Sequence, residues 1–277
     1  MNAASKKFFH NYAKNVDNAN RQAFWALSDS IVLEIFKKHI PRKTTKKPVI
    51  LDAGGGTARW AITLHRTFKS RVLVYDLSED MLSQATKNIR EAGLDEYISI
   101  ILGNLQDMRQ IKDRSVDYVV SIYNPISFVP NTSKVFDEFH RVLKKGGKAL
   151  VMGQGYHNAI ASKINNYITS PRELRGIEKS GVARWAKHVP PLRTFSFKSL
   201  KNIFRRAGFS LVAMYGVPIF AQPGSEDFDP NNIKKSRISK ALENQAFFRA
   251  VFQMEMKYNG LPELVDRGMN IIAVGKK

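Results

Sequence analysis

Two periodicities alternate along the chain. Short apolar runs read as buried strands: residues 49–51, 71–75 and 98–102, closed by Asp52, Asp76 and Gly103, and a fourth strand with its lead-in over 113–121. Between them apolar side chains recur at three- and four-residue steps, as on one face of a helix: 59–67, 79–92 and the run through Phe136, Phe139, Val142 and Leu143. Strand-and-helix alternation of this length predicts an α/β fold, doubly wound on a mostly parallel sheet. Residues 5–40 carry only the helical period, through Phe8, Phe9, Tyr12 and Val16 and then Phe24, Leu27, Ile31, Ile35 and Phe36, with a break expected near 17–20. A basic linker, 41–48, leads into the first strand. Residues 153–195 break the alternation with glycines, prolines and histidines, and read as a mostly helical insertion. The alternation then returns: a helix ending near Gly208, a strand over 210–216, a loop over 218–230, a basic helix over 233–258 and a last strand over 269–274.

The first strand ends in Asp52-Ala53-Gly54-Gly55-Gly56-Thr57-Ala58, and a helix starts at Arg59. Glycines at such a turn permit positive φ and let a ligand reach the backbone, while the helix-start amides suit an electron-rich group. The dinucleotide pattern G-x-G-x-x-G fails, because Arg59 stands where the third glycine belongs, and no G-K-[ST] phosphate loop is present. The pattern D-x-G-x-G-x-[GA] does fit, from Asp52 to Ala58. It resembles motif I of the class I S-adenosylmethionine (SAM) methyltransferases.

Later strings extend the resemblance. Asp76 closes the second strand 24 residues after Asp52, near the ~20-residue interval that brings a second-strand acid to a ribose. There it can accept hydrogen bonds from both vicinal hydroxyls. Asp76-Leu77-Ser78, with Met81 and Leu82, is similar to the family's second motif, and Ser78 is a suitable N-cap. Ser115 to Ser121 resembles its S-F-D-x-V strand. R-V-L-K-K-G-G, from Arg141, is its most recognisable downstream string, and T-F-S-x-x-S-L from Thr194 looks like its helix before the sixth strand. The likeness is strong over 49–152 and looser over 194–277.

The resemblance implies a Rossmann-like, mostly parallel seven-stranded sheet with the last strand antiparallel. It implies SAM as methyl donor and S-adenosylhomocysteine as product. The cofactor would meet Asp52, Ala53, Gly54, Gly55, Gly56, Asp76, Leu77, Met81, Asn104, Leu105 and Tyr123. Asn104 replaces the acid the family usually places against the adenine amino group, and its side-chain carbonyl can accept the same bond without the charge. The implied organisation is an N-terminal helical lid (1–48), a SAM-binding core (49–152), a substrate-side insertion (153–195) and a C-terminal part of the sheet (196–277) with a helical insertion near 217–262. The opening F-F-H-N-Y-A-K-N-V-D is similar to the lid segment of small-molecule members, with Val16 in place of an aromatic.

Composition narrows the chemistry. With no cysteine among 277 residues, disulfides, thiolate zinc sites and cysteine nucleophiles are excluded. No His, Asp and Glu cluster has metal-site spacing, so no metal is expected. No apolar run reaches the ~18 residues of a membrane span and no secretory leader is visible, so a cytoplasmic enzyme is expected. Tyr123, His157 and His188 are the candidate general bases, by location alone. The formal charge of +20 invites nucleic acid as a partner, but the basic residues are dispersed over 43–47, 144–148, 193–206 and 234–240. Asn124-Pro125-Ile126-Ser127 is half of the [DN]-P-P-[YFW] motif of base amino-methyltransferases and lacks its stacking aromatic. The leading expectation is transfer to a nitrogen or oxygen nucleophile of a small molecule. The alternatives are an RNA or DNA base methyltransferase, and a SAM-binding protein without transferase activity. The sequence does not fix the oligomeric state.

Overall fold

The computed structural model describes residues 8–11, 13, 16–19, 21–42, 46–166, 168–186, 189–228 and 234–277. His188 and Tyr12, both singled out above, lie outside the described residues, as does part of the 41–48 linker.

A short helix α1 (Val16–Ala19) and a long helix α2 (Ala23–His39) precede the sheet. The chain breaks between them at Arg21 and Gln22, a few residues later than the Asp-Asn run suggests. The core then alternates β1 (Val49–Ala53), α3 (Arg59–Phe68), β2 (Arg71–Asp76), α4 (Glu79–Glu91), β3 (Ile98–Leu102) and β4 (Val116–Ser121). A short 3-10 turn, Pro125–Ser127, leads to α5 (Thr132–Val142) and β5 (Leu143–Gly155). The insertion holds α6 (Tyr156–Asn165), α7 (Pro171–Ser180), β6 (Val182–Ala183) and β7 (Leu192–Phe195). The chain closes with α8 (Phe197–Arg206), β8 (Ser210–Val217), α9 (Arg237–Leu242), α10 (Gln245–Tyr258), α11 (Pro262–Val265) and β9 (Asn270–Lys276).

The sheet is parallel in the order β3-β2-β1-β4-β5, and the antiparallel β9 continues it between β5 and β8. These are the seven strands the resemblance implies. The insertion adds two more: β7 pairs in parallel with β5 at Gln154 and Gly155, beyond the last β4 pair at Val151. The insertion thus caps the carboxyl end of β4 and is less helical than its sequence suggests. β5 also runs three residues past the expected core boundary at 152. The single basic helix expected over 233–258 is two, because Asn244 accepts the amides of Ala246 and Phe247 and starts α10 afresh.

Apolar side chains pack on both faces of the sheet. One layer joins α2, α3 and α4 through Phe36, Leu64, Phe68 and Leu82; the other joins α5 and α8 through Phe136, Phe139 and Phe204. Near-continuous apolar strands such as β1 and β4 follow from burial on both sides. The R-V-L-K string has a structural use. Arg141 pairs with Glu138 at 2.7 Å and donates to the carbonyls of Ile111 and Met108, each at 2.9 Å, tying the β3–β4 connection to α5. Among the described residues, no helix is long and apolar enough to cross a membrane, and no group of three or more acidic or histidine side chains could hold a metal ion.

Candidate active site

The carboxyl ends of β1, β2 and β4 meet at the glycine turn, where a doubly wound sheet places its ligand cleft. The Gly54 amide donates to the Tyr75 carbonyl at 2.7 Å, folding the turn back over β2. The three glycines answer to different neighbours. A Cβ on Gly54, at φ +77°, would lie 2.4 Å from the Pro125 ring, and one on Gly55 would lie 2.9 Å from the Asp52 carboxylate. At Gly56, φ +53°, a Cβ would meet only the Met81 sulfur, at 3.8 Å. Gly54 and Gly55 therefore serve close packing of the chain on itself. Gly56 is the one whose bare face is open to a ligand.

Asp76, half-buried, spans the turn and the next helix: it accepts the Gly56 amide at 3.0 Å and the Ser78 amide at 2.9 Å. Burial raises its carboxyl pKa, opposed by the amides of Ser78, Gly56 and Leu77. Beside it Leu77 is exposed and Met81 buried. Across the cleft floor Leu105 is buried and Asn104 half-buried. The Asn104 carbonyl oxygen accepts the Gln106 amide at 3.0 Å, which orients the side chain and leaves its second lone pair and its amide nitrogen.

Asp52 lies under the turn, 2% exposed, and its Oδ2 has no hydrogen-bond partner among the described residues. Burial, and then the nearby Asp76 charge, push its pKa from the ordinary 3.8 to about 7, against the Ala61 amide and Arg59, which lower it. A buried, unpaired carboxylate oxygen at a cleft calls for a cation.

The N-terminal segment folds across this region. Asp17 accepts the Thr57 hydroxyl at 2.9 Å and the Asn88 amide at 3.2 Å, and His10 meets Asp80 at 2.8 Å. Phe9 packs edge-on against Phe128. From α2, Asp29 receives the guanidinium of Arg59 and the hydroxyl of Tyr123, which also meets Ser28 at 3.2 Å. The Arg59 guanidinium sits 5.4 Å from the ring centres of both Trp60 and Tyr123, and Trp25 packs edge-on against Tyr123. Tyr123 and Asn124 both have left-handed backbone, at φ +61° and +73°, and the Asn124 Oδ1 is buried without a partner among the described residues. Two consecutive non-glycine residues in that region store strain that the surrounding packing must hold, and such strain gathers at functional sites.

Against this geometry the comparisons with known proteins are consistent. The "Methyltransferase domain" family matches residues 50–147. Demethylmenaquinone methyltransferase of Listeria welshimeri is 33% identical over 196 residues, covering 64% of this chain and 80% of that protein. The chain belongs to the class I SAM-dependent methyltransferases. Geranyl diphosphate C-methyltransferase from Streptomyces coelicolor shares the fold, with TM-score 0.56 and 14% identity over 90% of this chain and 79% of that one. So does an S-adenosylmethionine-dependent methyltransferase from Mesorhizobium loti, with TM-score 0.55 and 19% identity over 94% and 100% of the two chains.

The methyltransferase's cleft fits SAM on its own features. Asp52 supplies an unpaired anion for an ammonium group, Gly56 an open backbone face, and Asp76 a carboxylate with lone pairs beyond its two amide bonds. The candidate bases fare differently. The Tyr123 hydroxyl already donates to Asp29, and burial first, with the Asp29 charge second, holds its phenol well above its ordinary value. That bond and that shift count against a role as general base. His157 starts α6, exposed and 3.6 Å from Asp266, beside β5 and β9 and away from the β1–β2 cleft. Sequence reasoning missed Asp29 and Asp17. The signal for Asp29 was an acid flanked by serines inside an apolar helix, opposite a motif I whose third glycine position holds Arg59.

Asp52 gives a pH test. Its raised pKa means the folded, ligand-free enzyme holds a proton near pH 5 that the unfolded chain has lost. Stability contributed by this group therefore falls as pH rises from about 4 to about 7, and levels above. A bound ammonium favours the carboxylate, so affinity for S-adenosylhomocysteine should climb with pH up to about 7 and then flatten. Titration calorimetry across this range checks it, and Asp52→Asn should bind weakly with a flat profile. A climbing profile in that variant would clear Asp52 of the effect.

Proposed function

We propose that this enzyme transfers the methyl group of SAM to a nitrogen or oxygen nucleophile of a small molecule with a planar, largely apolar body. The observation that carries the reading is the wall beyond β4: Trp25, Tyr123 and Phe228 in edge-on succession from α2, with Phe128 and Phe9 on the other side of the turn. Such rings suit a flat apolar acceptor. The similarity to demethylmenaquinone methyltransferases, named for a small-molecule acceptor, supports the same class.

In this reading Gly56, Asp76, Leu77, Met81, Asn104 and Leu105 hold the nucleoside, and Asp52 the amino-acid end. SAM brings a methyl carbon made electrophilic by the positive sulfur; the acceptor lone pair forms the new bond as the carbon–sulfur bond breaks, leaving S-adenosylhomocysteine. The chain's own task is to orient the acceptor in line and to exclude water. Residues 1–48 act as the lid, latched at Thr57 by Asp17 and at Arg59 and Tyr123 by Asp29. No general base is assigned. The favoured acceptor is accordingly one whose lone pair is available near neutral pH, such as an amine or an acidified hydroxyl.

The nucleic-acid reading lacks a matching observation. Pro125 packs on Gly54, Ile126 is fully buried, and the motif position that should carry the stacking aromatic holds the buried Ser127. The test is methyl incorporation from labelled SAM into small-molecule, RNA and DNA fractions of a cell extract. Label is expected in the apolar small-molecule fraction, insensitive to salt. Stoichiometric label at one nucleotide position, lost steeply between low and moderate salt, would sink the proposal.

A further inference from the structure

Half of the exposed large apolar side chains lie in one part of the chain. Among the described residues, Phe220, Phe228, Phe247, Met254 and Leu261 are exposed between 220 and 261, against five others elsewhere. Helix α10 explains the concentration. Its inner face packs Phe248, Val251, Phe252 and Met256 against the core, yet along the edge of that face it exposes Phe247 at 44% and Met254 at 50%. Those two lie seven residues apart, one above the other on the helix, and Leu261 is exposed just past its end. Phe220 is held next to this stripe: Glu255 accepts the amides of Ile219, Phe220 and Ala221 at 2.7, 2.8 and 2.9 Å, and the Phe220 ring packs edge-on against Tyr258. The apolar surface of α10 is thus wider than the part the core covers, and its uncovered margin is exposed.

The charges around the stripe say what covers it. Arg249 and Lys257 are exposed on the same helix, and Lys234, Arg237 and Lys240 are exposed on the approach. Between 234 and 261 the two acids are spent, Glu255 inside the fold and Glu243 on Lys235. We propose that the α10 face, with Phe220 and Leu261, is an interfacial docking surface for an anionic lipid bilayer. Apolar side chains enter the headgroup boundary while flanking cations meet the acidic headgroups. A second copy of the chain is disfavoured, since a two-fold contact would set Arg249 and Lys257 against their own like charges. Only Phe220 and Phe247 of the patch carry a stacking face while Met254 and Leu261 carry none, so a bilayer takes up more of the surface than a nucleic-acid strand would. The surface is coupled to the cleft. α9 and α10 pack on α2, where Ser239 accepts the Phe24 amide at 3.2 Å, and the preceding loop's Asp227 carbonyl accepts the Trp25 indole N–H at 2.6 Å. Docking would set the lid helix beside the bilayer. The surface stands independently of which acceptor the cleft takes.

The test is co-sedimentation of the full chain with vesicles of phosphatidylcholine alone, and of phosphatidylcholine with a minority of phosphatidylglycerol. Binding is expected to the second and not the first, weakening with salt. Phe247→Ser with Met254→Ser should reduce it about tenfold or more, since both side chains lose apolar burial. Arg249→Glu with Lys257→Glu should reduce it similarly, at roughly fivefold for each cation near the surface. Both variants touch only exposed positions, and unchanged S-adenosylhomocysteine binding confirms that they fold. Absence of binding to phosphatidylglycerol vesicles, or binding undiminished in both variants, overturns the proposal. So does a dimer in solution that the Phe247 and Met254 changes split, or an RNA complex that they abolish.

Discussion

Asp76→Ala should cost the enzyme its cofactor while leaving its fold nearly intact. Hydrogen bonds to a charged acceptor contribute about 1.5–3 kcal/mol each, so losing the carboxylate should weaken S-adenosylhomocysteine binding by a factor of roughly 10 to 150. The same change frees the amides of Gly56 and Ser78, which loosens the turn whose open face the ligand needs and moves the result toward the upper end. Stability should move little, because two effects oppose. The raised pKa of Asp76 means its charge is held at a cost in the folded state, and alanine removes that cost; the two amides lose their acceptor. Calorimetry and thermal melting together make the check. Undiminished affinity in a folded variant would remove Asp76 from the site, and collapse of the fold would show that the residue is structural first.

The family was legible because its signals are local. The strings from Asp52 to Ala58 and from Asp76 to Leu82 each lie within a few residues, and their resemblance to the family's motifs is what points to the cofactor. What each glycine does was not legible. Gly54 faces Pro125, 71 residues on, and no local pattern records that contact. The same limit hid the sheet's two extra strands. β6 and β7 are short, and β7 joins the sheet through two residues at the end of β5, so neither carries a strand-length apolar run. The N-terminal segment was readable as helix, but its polar contacts with the turn were not. Its apolar period points to the core, whereas Asp17 and Asp29 reach across to Thr57, Arg59 and Tyr123 from outside that period. Tyr123 shows the cost: its place at the end of β4 made it a candidate base, and a partner 94 residues earlier counts against that role.

The proposed latch carries the second large effect. Asp29 and Arg59 are each about a quarter exposed, and the guanidinium lies 5.4 Å from each of two aromatic ring centres, so its charge has little water to fall back on. Asp29→Ala strands that cation and leaves the Tyr123 hydroxyl without its acceptor. Breaking a fully buried pair costs about 3–5 kcal/mol, and partial exposure places this one near 3 kcal/mol at most. Tyr123→Phe removes the hydrogen bonds to Asp29 and Ser28 and should cost about 1.5–3 kcal/mol. Asp29→Ala combined with Arg59→Leu should be less destabilised than the sum of the two single changes, because the stranded charge is gone. Denaturant melts of the four proteins decide this. Kinetics separate a latch from a plain ion pair: if α2 closes the acceptor side, Asp29→Ala should raise the acceptor KM more than it weakens S-adenosylhomocysteine binding, since the nucleoside residues sit on the far side of the glycine turn. An Asp29→Ala enzyme that melts and turns over like the parent would leave α2 as packing alone, and the positive φ of Tyr123 and Asn124 would then need another cause.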